Sequence, residues 1–571
     1  LKYGFNGITP CTGDFVCNAN GTCVAPQCHA TADCNDPTMI CDIYGECVPS
    51  GDGSGSASQY TLSVQIAGSG TGTVTSAPPG ISCSSGTCSG VFDAGTDVTL
   101  SQVTSAGSFL GWASACKGTD ACSVTLSSDQ KVGAMFGTKG EVLWTKPIEA
   151  DGANWGHGVV TTADGDVVAV GQFAGTMTLD AFTLQTGGTS ISNAYIAKFD
   201  GLTGKTLWAK SLPVVDAMNI ATDGDAFYLI GVFAGTTQIG ASVLTSLGGD
   251  DTFVAKLNAS GEAQWGASAG GAGTEHPSSV TVANGIVALT GYETAGITIG
   301  MTSYPASGAS ADGFVAAFDA STGAVKWSRD FTATGVESGA EATTADSALL
   351  VGGHFSGPID FGGGSVSPYG SDAFVARYDL QTGALTKLDH WGSAGSNADV
   401  TALAKDATGN TVAAGPFGGT LTINGTTYTA TGNDVFVVNY GGTTNKWMEW
   451  WSTSSGAIAY PTGIAIGIDD IVIGGNFCKG TIYIGTTTLT GVTCTVQNNL
   501  RTGMFVRMRN DGTTFLGVHT LGTYGWTDAV ARAPDARAFA TGKFNSALRL
   551  DTQVLIASGQ EGAYVLAVAP Q

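Results

Sequence analysis

Positive charge is what this chain has least of. In 571 residues, 23 Lys and Arg stand against 46 Asp and Glu, giving a formal net charge of −23. So few cations cannot neutralise a phosphate backbone, which excludes nucleic acid as a partner and leaves room for cations or basic partners. No apolar run is long enough to span a bilayer as a helix, so no transmembrane segment is expected. Strong helix formers give way to 85 Gly and abundant Ser and Thr, which suits short strands joined by positive-φ turns. Catalytic signatures are missing too. There is no G-x-S-x-G, no H-E-x-x-H and no paired-ligand histidine spacing, and His157, His276, His354, His390 and His519 are scattered. The chain does not begin with Met and has no signal-peptide apolar stretch, so it is expected to be a processed or trimmed form.

Cysteine is present but unevenly spread. Seven of the 13 fall within residues 11–47, a density expected of an oxidising compartment. Residues 1–49 read as a Cys-rich head. Cys28, Cys34, Cys41 and Cys47 form one spaced group, and Cys11, Cys17 and Cys23 repeat it with the opening cysteine missing. An odd thiol must be free, bridge another chain or pair upstream of Leu1, and the last is preferred. The spacings are too wide for zinc, so disulfides are the expected staple. Residues 50–59 read as a flexible linker. Residues 60–137 alternate as short strands in "YTLSVQI", "DVTLSQV" and "CSVTL". Cys83–Cys88 and Cys116–Cys122 would staple two loops there, with Cys83–Cys116 as the open alternative. Gly72, Val74, Pro79, Gly80, Ile81, Cys83, Gly111, Trp112, Cys116 and Cys122 together resemble the divergent internalin-B B-repeat family of bacterial surface modules. That resemblance implies a spacer or adhesive unit.

Residues 138–571 repeat with a period near 60. "DAFVARYD" at 372–379 recurs as "NAYIAKFD", "DTFVAKLN" and "DGFVAAFD", and its aromatic recurs at Tyr195, Phe253, Phe314, Phe374, Phe436, Phe505 and Tyr564. A "GxFxG" phrase accompanies it, and only the third copy departs, with "GYETAG". Repeats of four short strands at this spacing predict a β-propeller. Strand one is assigned to runs such as "VVAVGQF", strand two to the "AGTTQIG" type, strand three to "DAFVARYD" and strand four to "AVKWSRDF". The last repeat lacks a fourth strand, whereas "VLWTKPI" at 142–148 stands alone. The expected fold is therefore all-β, a seven-bladed propeller whose last blade is completed by this N-terminal strand, preceded by the small module and the head. "AFDASTGAVKW" and "KFDGLTGKTLW" resemble the tryptophan-docking turns of quinoprotein-like propellers, and the region as a whole resembles bacterial extracellular β-propeller repeats. The first resemblance implies a Trp packed between blades against an Asp–Thr–Gly turn. Lys387 replaces that Trp in the fourth repeat, and the sixth repeat has none. The vicinal cysteines of quinone enzymes and the S-x-D-x-G-x-T-W box of sialidase-like propellers are absent, so no cofactor is expected.

Acidic turns such as "ADGD" and "TDGD" read as hairpins, since none continues into a calcium loop. Cys478 and Cys494 are expected to form a structural disulfide. The candidate site is positional: loops between strand four and the next strand one should ring the channel mouth. They carry Trp155, His157, Asp216, Glu275, His276, Glu337, Asp399, Tyr460, Trp526 and Asp528, a mixed set suited to a sugar, a cation or a basic peptide. Trp450 and Trp451 point to opposite faces, so at least one is expected to be exposed, for glycan stacking, a protein contact or edge packing against the neighbouring domain. No catalytic residue, metal ligand or cofactor is assigned. The expected function is non-enzymatic binding, adhesion or assembly at the bacterial cell surface, through the mouth or the head, with a surface protein or glycan as partner. A glycan hydrolase or lyase with clustered channel acids, and a subunit of an extracellular fibre or sheath, are the alternatives.

Overall fold

The computed structural model describes residues 58–306, 311–331, 337–345, 347–405, 411–423, 425–441, 444–492, 501–521, 525–550 and 553–571, together with short strands between 16 and 49. The chain divides into two compact units. The first comprises residues 1–62, 90–98 and 125–130. In it Val16–Cys17 pairs with Cys23–Val24, and Met39–Cys41 pairs with Cys47–Pro49. The head cysteine side chains lie outside the described residues. The second unit holds everything else. Its disulfides Cys83–Cys88 and Cys116–Cys122 settle the pairing left open by the spacing. They are the cross-links of an oxidising compartment, periplasmic or extracellular. Among the described residues no helix is long and apolar enough to cross a membrane.

Among the described residues seven antiparallel sheets follow one another from residue 154 onward, five of four strands and two extended to six and seven, each by a hairpin paired to its outer strand. The first is built from Asn154–Thr161, Val167–Ala174, Ser192–Phe199 and Thr206–Leu212, from the inside out. The inner strands of the next five blades are Asp216–Thr222, His276–Ala283, Glu337–Ala345, Ala402–Lys405 and Ile458–Ile466. Each inner strand touches the next, and the last, Ala529–Arg532, touches the first, so the ring closes. Val142–Ile148 supplies the outer strand of the seventh blade by pairing with Gln553–Val568, Ile148 opposite Ala563. The expected closure is borne out. It gives the seventh blade the fourth strand that its own segment lacks.

The blades cohere because their middle strands are apolar on both faces. Val168, Val170, Ala194 and Ile196 pack against Phe227, Leu229 and Phe253 of the second blade. The alternate residues, Val167, Ala169, Tyr195 and Ala197, pack against Phe539 and Val565 of the seventh. A period of two delivers both faces from one strand. Outer-strand tryptophans bridge neighbouring blades: Trp144, Trp265, Trp327 and Trp447 donate Nε1–H to the carbonyls of Gly201, Ala320, Leu380 and Asn510 at 2.9–3.3 Å. Each ring lies on the glycine of the next blade's turn. A Cβ on Gly323 would sit 2.7 Å from the Trp265 ring, and its φ of 73° also favours glycine.

The strand assignment needs one correction. Runs such as "VVAVGQF" are the second strands, and "TMTL" or "TTQI" is half of a separate two-stranded hairpin beyond the sheet. The innermost strand is the polar, glycine-bearing stretch that reads as a loop. It borders the channel, so it lacks the continuous apolar character of a strand packed on both sides.

Candidate functional site

Residues expected in mouth loops therefore stand at the start of the inner strands or just before them. In several blades this position is bulged. The register slips between Gly156 and Gly158, Ala217 and Asn219, Pro277 and Ser279, and Pro461 and Gly463. A bulge turns one extra side chain off the ladder, and in the first blade that residue is His157. Its Nε2 lies 3.1 Å from Asp216 Oδ2 of the second blade, and its Nδ1 lies 3.8 Å from Asp528 Oδ2 of the seventh. The imidazole thus bridges three blades. Burial lowers the His157 pKa, but the Asp216 carboxylate, helped by Asp528, leaves it above the usual imidazole value. Asp528 is raised by burial against the opposing pull of His157, Lys543 and Arg501.

Aromatic rings complete this cluster. The Lys543 ammonium sits over both Trp155 and Trp526, 4.4 and 5.0 Å from the ring centroids. Trp155 donates Nε1–H to Glu561 at 2.7 Å. Tyr460 carries the Arg501 guanidinium 5.5 Å above its ring. Lys543, Glu561 and Arg501 are invisible to a comparison confined to inter-blade segments. Lys543 and Glu561 lie on the paired strands of the seventh blade, at Lys543↔Ala563 and Asn545↔Glu561.

The other candidates disperse. Asp399 pairs with His354 Nδ1 at 3.3 Å, at the seam of the fourth and fifth blades. His276 stacks on Tyr292, with centroids 4.9 Å apart. The Glu337 side chain lies outside the described residues, as does Cys494, although Cys478 is disulfide-bonded. Trp451 is a correction: it is 0% exposed, in the core between the fifth and sixth blades. Trp450 is 37% exposed and donates to Asp434 Oδ2 at 2.9 Å.

Glu275 is also misplaced as a mouth residue. It is wholly buried, and burial, with Asp251 and Glu293 nearby, pushes its pKa up to about 8. It borders a second concentration of charge in the third blade. Ligand oxygens of Glu293, Asp312 and Asp330 lie within 4.8 Å of one another. Burial, then the charges of Asp312 and Glu293, pushes Asp330 up to about 7. Oxygen-only carboxylates of this kind could hold a hard cation.

The family model described as outer membrane protein assembly factor BamB matches residues 192–484. Among curated proteins none matches. Solved structures similar to the chain include BamB from Moraxella catarrhalis, at 12% identity over 74% of this chain and 98% of that one, with a TM-score of 0.33. The Dos1 propeller is 10% identical over 75% and 96%, at 0.37. Quinohemoprotein alcohol dehydrogenase from Comamonas testosteroni is 13% identical over 75% and 76%, at 0.35.

Proposed function

The chain belongs to the family described as outer membrane protein assembly factor BamB, and on that premise we propose that it is a non-enzymatic binding or assembly protein of the bacterial cell surface. Its working surface is the mouth of the propeller at the seam of the seventh, first and second blades. The observation that carries this reading is the charge-and-ring cluster His157, Asp216 and Asp528 beside Trp155, Lys543 and Trp526. Six side chains of mixed chemistry converge there from three blades of otherwise repeated sequence. Of the six, Trp155, His157, Lys543 and Asp528 stay partly open to solvent while Asp216 and Trp526 are buried, a mouth suited to a protein segment or glycan offering both cations and apolar area. Its acid–imidazole–acid core lies at a blade seam, where no single repeat could build it.

The module of residues 60–137, with its B-repeat resemblance, acts as a spacer or adhesive unit. Within the second unit, Leu202 of the first blade joins Leu110, Ala113 and Met135 in one apolar cluster, and Lys131 pairs with Asp200. Glycan and basic-peptide arrays probed with the full chain test the proposal. Hits at least about tenfold weaker for the Asp216→Asn/Asp528→Asn double variant would support it, as expected when one side of a charge pair is removed. Turnover of an arrayed glycan by the unmodified chain would replace binding with catalysis. Hits indifferent to the double variant would move the site elsewhere.

A further inference from the structure

The third blade breaks the repeat at two positions, and the two breaks meet in space. Glu293 stands opposite Asp312 where the second, fourth and fifth blades place Phe233, Phe355 and Phe417 opposite their own acids. Asp330 stands opposite Phe314, where the fourth and fifth blades carry His390 and Trp450. In those blades the extra residue is a donor. His390 Nδ1 lies 2.8 Å from Asp372, and Trp450 Nε1–H reaches Asp434 at 2.9 Å. The buried strand-three acid is thereby satisfied. In the third blade the donor is an acid instead, and the neighbouring phenylalanine is a second acid.

Glu293 is 0% exposed and Asp312 1%. Glu293 Oε2 accepts the backbone N–H groups of Ala295, at 2.6 Å, and Gly296. Its Oε1 has no hydrogen-bond partner, and neither does either oxygen of Asp330, although all three atoms are sealed from solvent. A buried carboxylate oxygen without a partner is costly, and mutually close carboxylates raise that cost. No Lys, Arg or His is ion-paired to Glu293 or Asp330 among the described residues. We propose that Glu293, Asp312 and Asp330 form a binding site for a hard divalent cation, calcium in the first instance, built into the third blade. The all-oxygen donor set selects against softer metals, and calcium tolerates an irregular arrangement better than magnesium does.

Calorimetric titration of the chelator-stripped full chain with CaCl2, and in parallel with MgCl2, tests the site. Thermal unfolding with and without each ion is the second readout. The expected result is saturable calcium binding that raises the unfolding midpoint, because an ion held only by the folded chain stabilises it. Asp330→Asn should weaken that binding at least about tenfold, since affinity follows the number of ligand charges. Glu293→Phe and Asp330→His restore the residues of neighbouring blades, and each should abolish the calcium response. Asp330→His serves if Glu293→Phe does not fold. The array binding at the mouth should persist in these variants, which keeps this site separable from the mouth. Absence of calcium binding to the unmodified chain, or an unchanged response in Asp330→Asn and Asp330→His, would overturn the proposal. Tighter binding of magnesium than of calcium would overturn the choice of ion.

Discussion

At the scale of single residues, protonation of His157 sets the charge of the mouth. Its pKa is raised above the usual imidazole value by Asp216 and Asp528, against burial and the Lys543 ammonium. The sign follows: the imidazolium's pairing is fully present below the unfolded pKa, near 6.5, and is lost as pH rises through the higher folded value. An NMR titration of His157 should give a pKa above 6.5, and His157→Gln should remove that component from the pH dependence of the urea midpoint. A midpoint equally pH-dependent in the variant would contradict the assignment. The docked tryptophans give a second residue-scale expectation. Trp265→Ala should cost about 3–5 kcal/mol, the range for a buried aromatic. Lys387→Ala, at the fourth repeat's equivalent position, should stay within about 0.5 kcal/mol. Chemical denaturation of both variants checks the contrast. His157, Asp216 and Asp528 were legible because three aligned copies disagree there. Lys543 and Glu561 were not, because their proximity arises from blade closure rather than from chain position.

At the scale of elements, the blades carry hairpins that cover their outer rims. In the second blade Thr236–Ile239 pairs with Ser242–Thr245, burying Ile239 and Leu244 in the core shared with the first blade while Val243 stays 68% exposed. Ile239→Ala should therefore cost about 2–5 kcal/mol and Val243→Ala within about 0.5 kcal/mol, read from urea midpoints. Equal effects would mean that the hairpin does not pack as described. Strand existence was readable from "DAFVARYD", because both of its faces are apolar and the phrase recurs. The hairpin passed for a blade strand because "TTQIG" alternates like one. The inner strand passed for a loop because its channel side is polar and its bulge interrupts the alternation. Periodicity reports burial, and an element exposed along one edge has little of it.

At the scale of the whole molecule, ring closure makes the mouth. His157 and Trp155 belong to the first blade, Asp528, Lys543 and Glu561 to the seventh, so these groups meet only where the ends of the chain are joined. Several contacts fasten that seam. Asn154 Oδ1 accepts the Ala563 N–H at 2.5 Å. Arg537, wholly buried and paired with Asp535, donates to the Gly165 carbonyl at 2.8 Å. Trp144 of the closing strand docks on the first blade's turn. Counting repeats made the closure legible, whereas the third-blade acids required the register to show that two departures 37 residues apart, at Glu293 and Asp330, share one place.

Native-state hydrogen exchange on the full chain addresses the closure most directly. Backbone amides of Val142–Ile148, Pro147 excepted, and of Ala563–Val568 should exchange together, at rates as slow as those of the inner blade strands, because opening that pairing opens the ring. Fast exchange across Val142–Ile148, with the other blades still protected, would show an open ring and leave the mouth cluster without its frame.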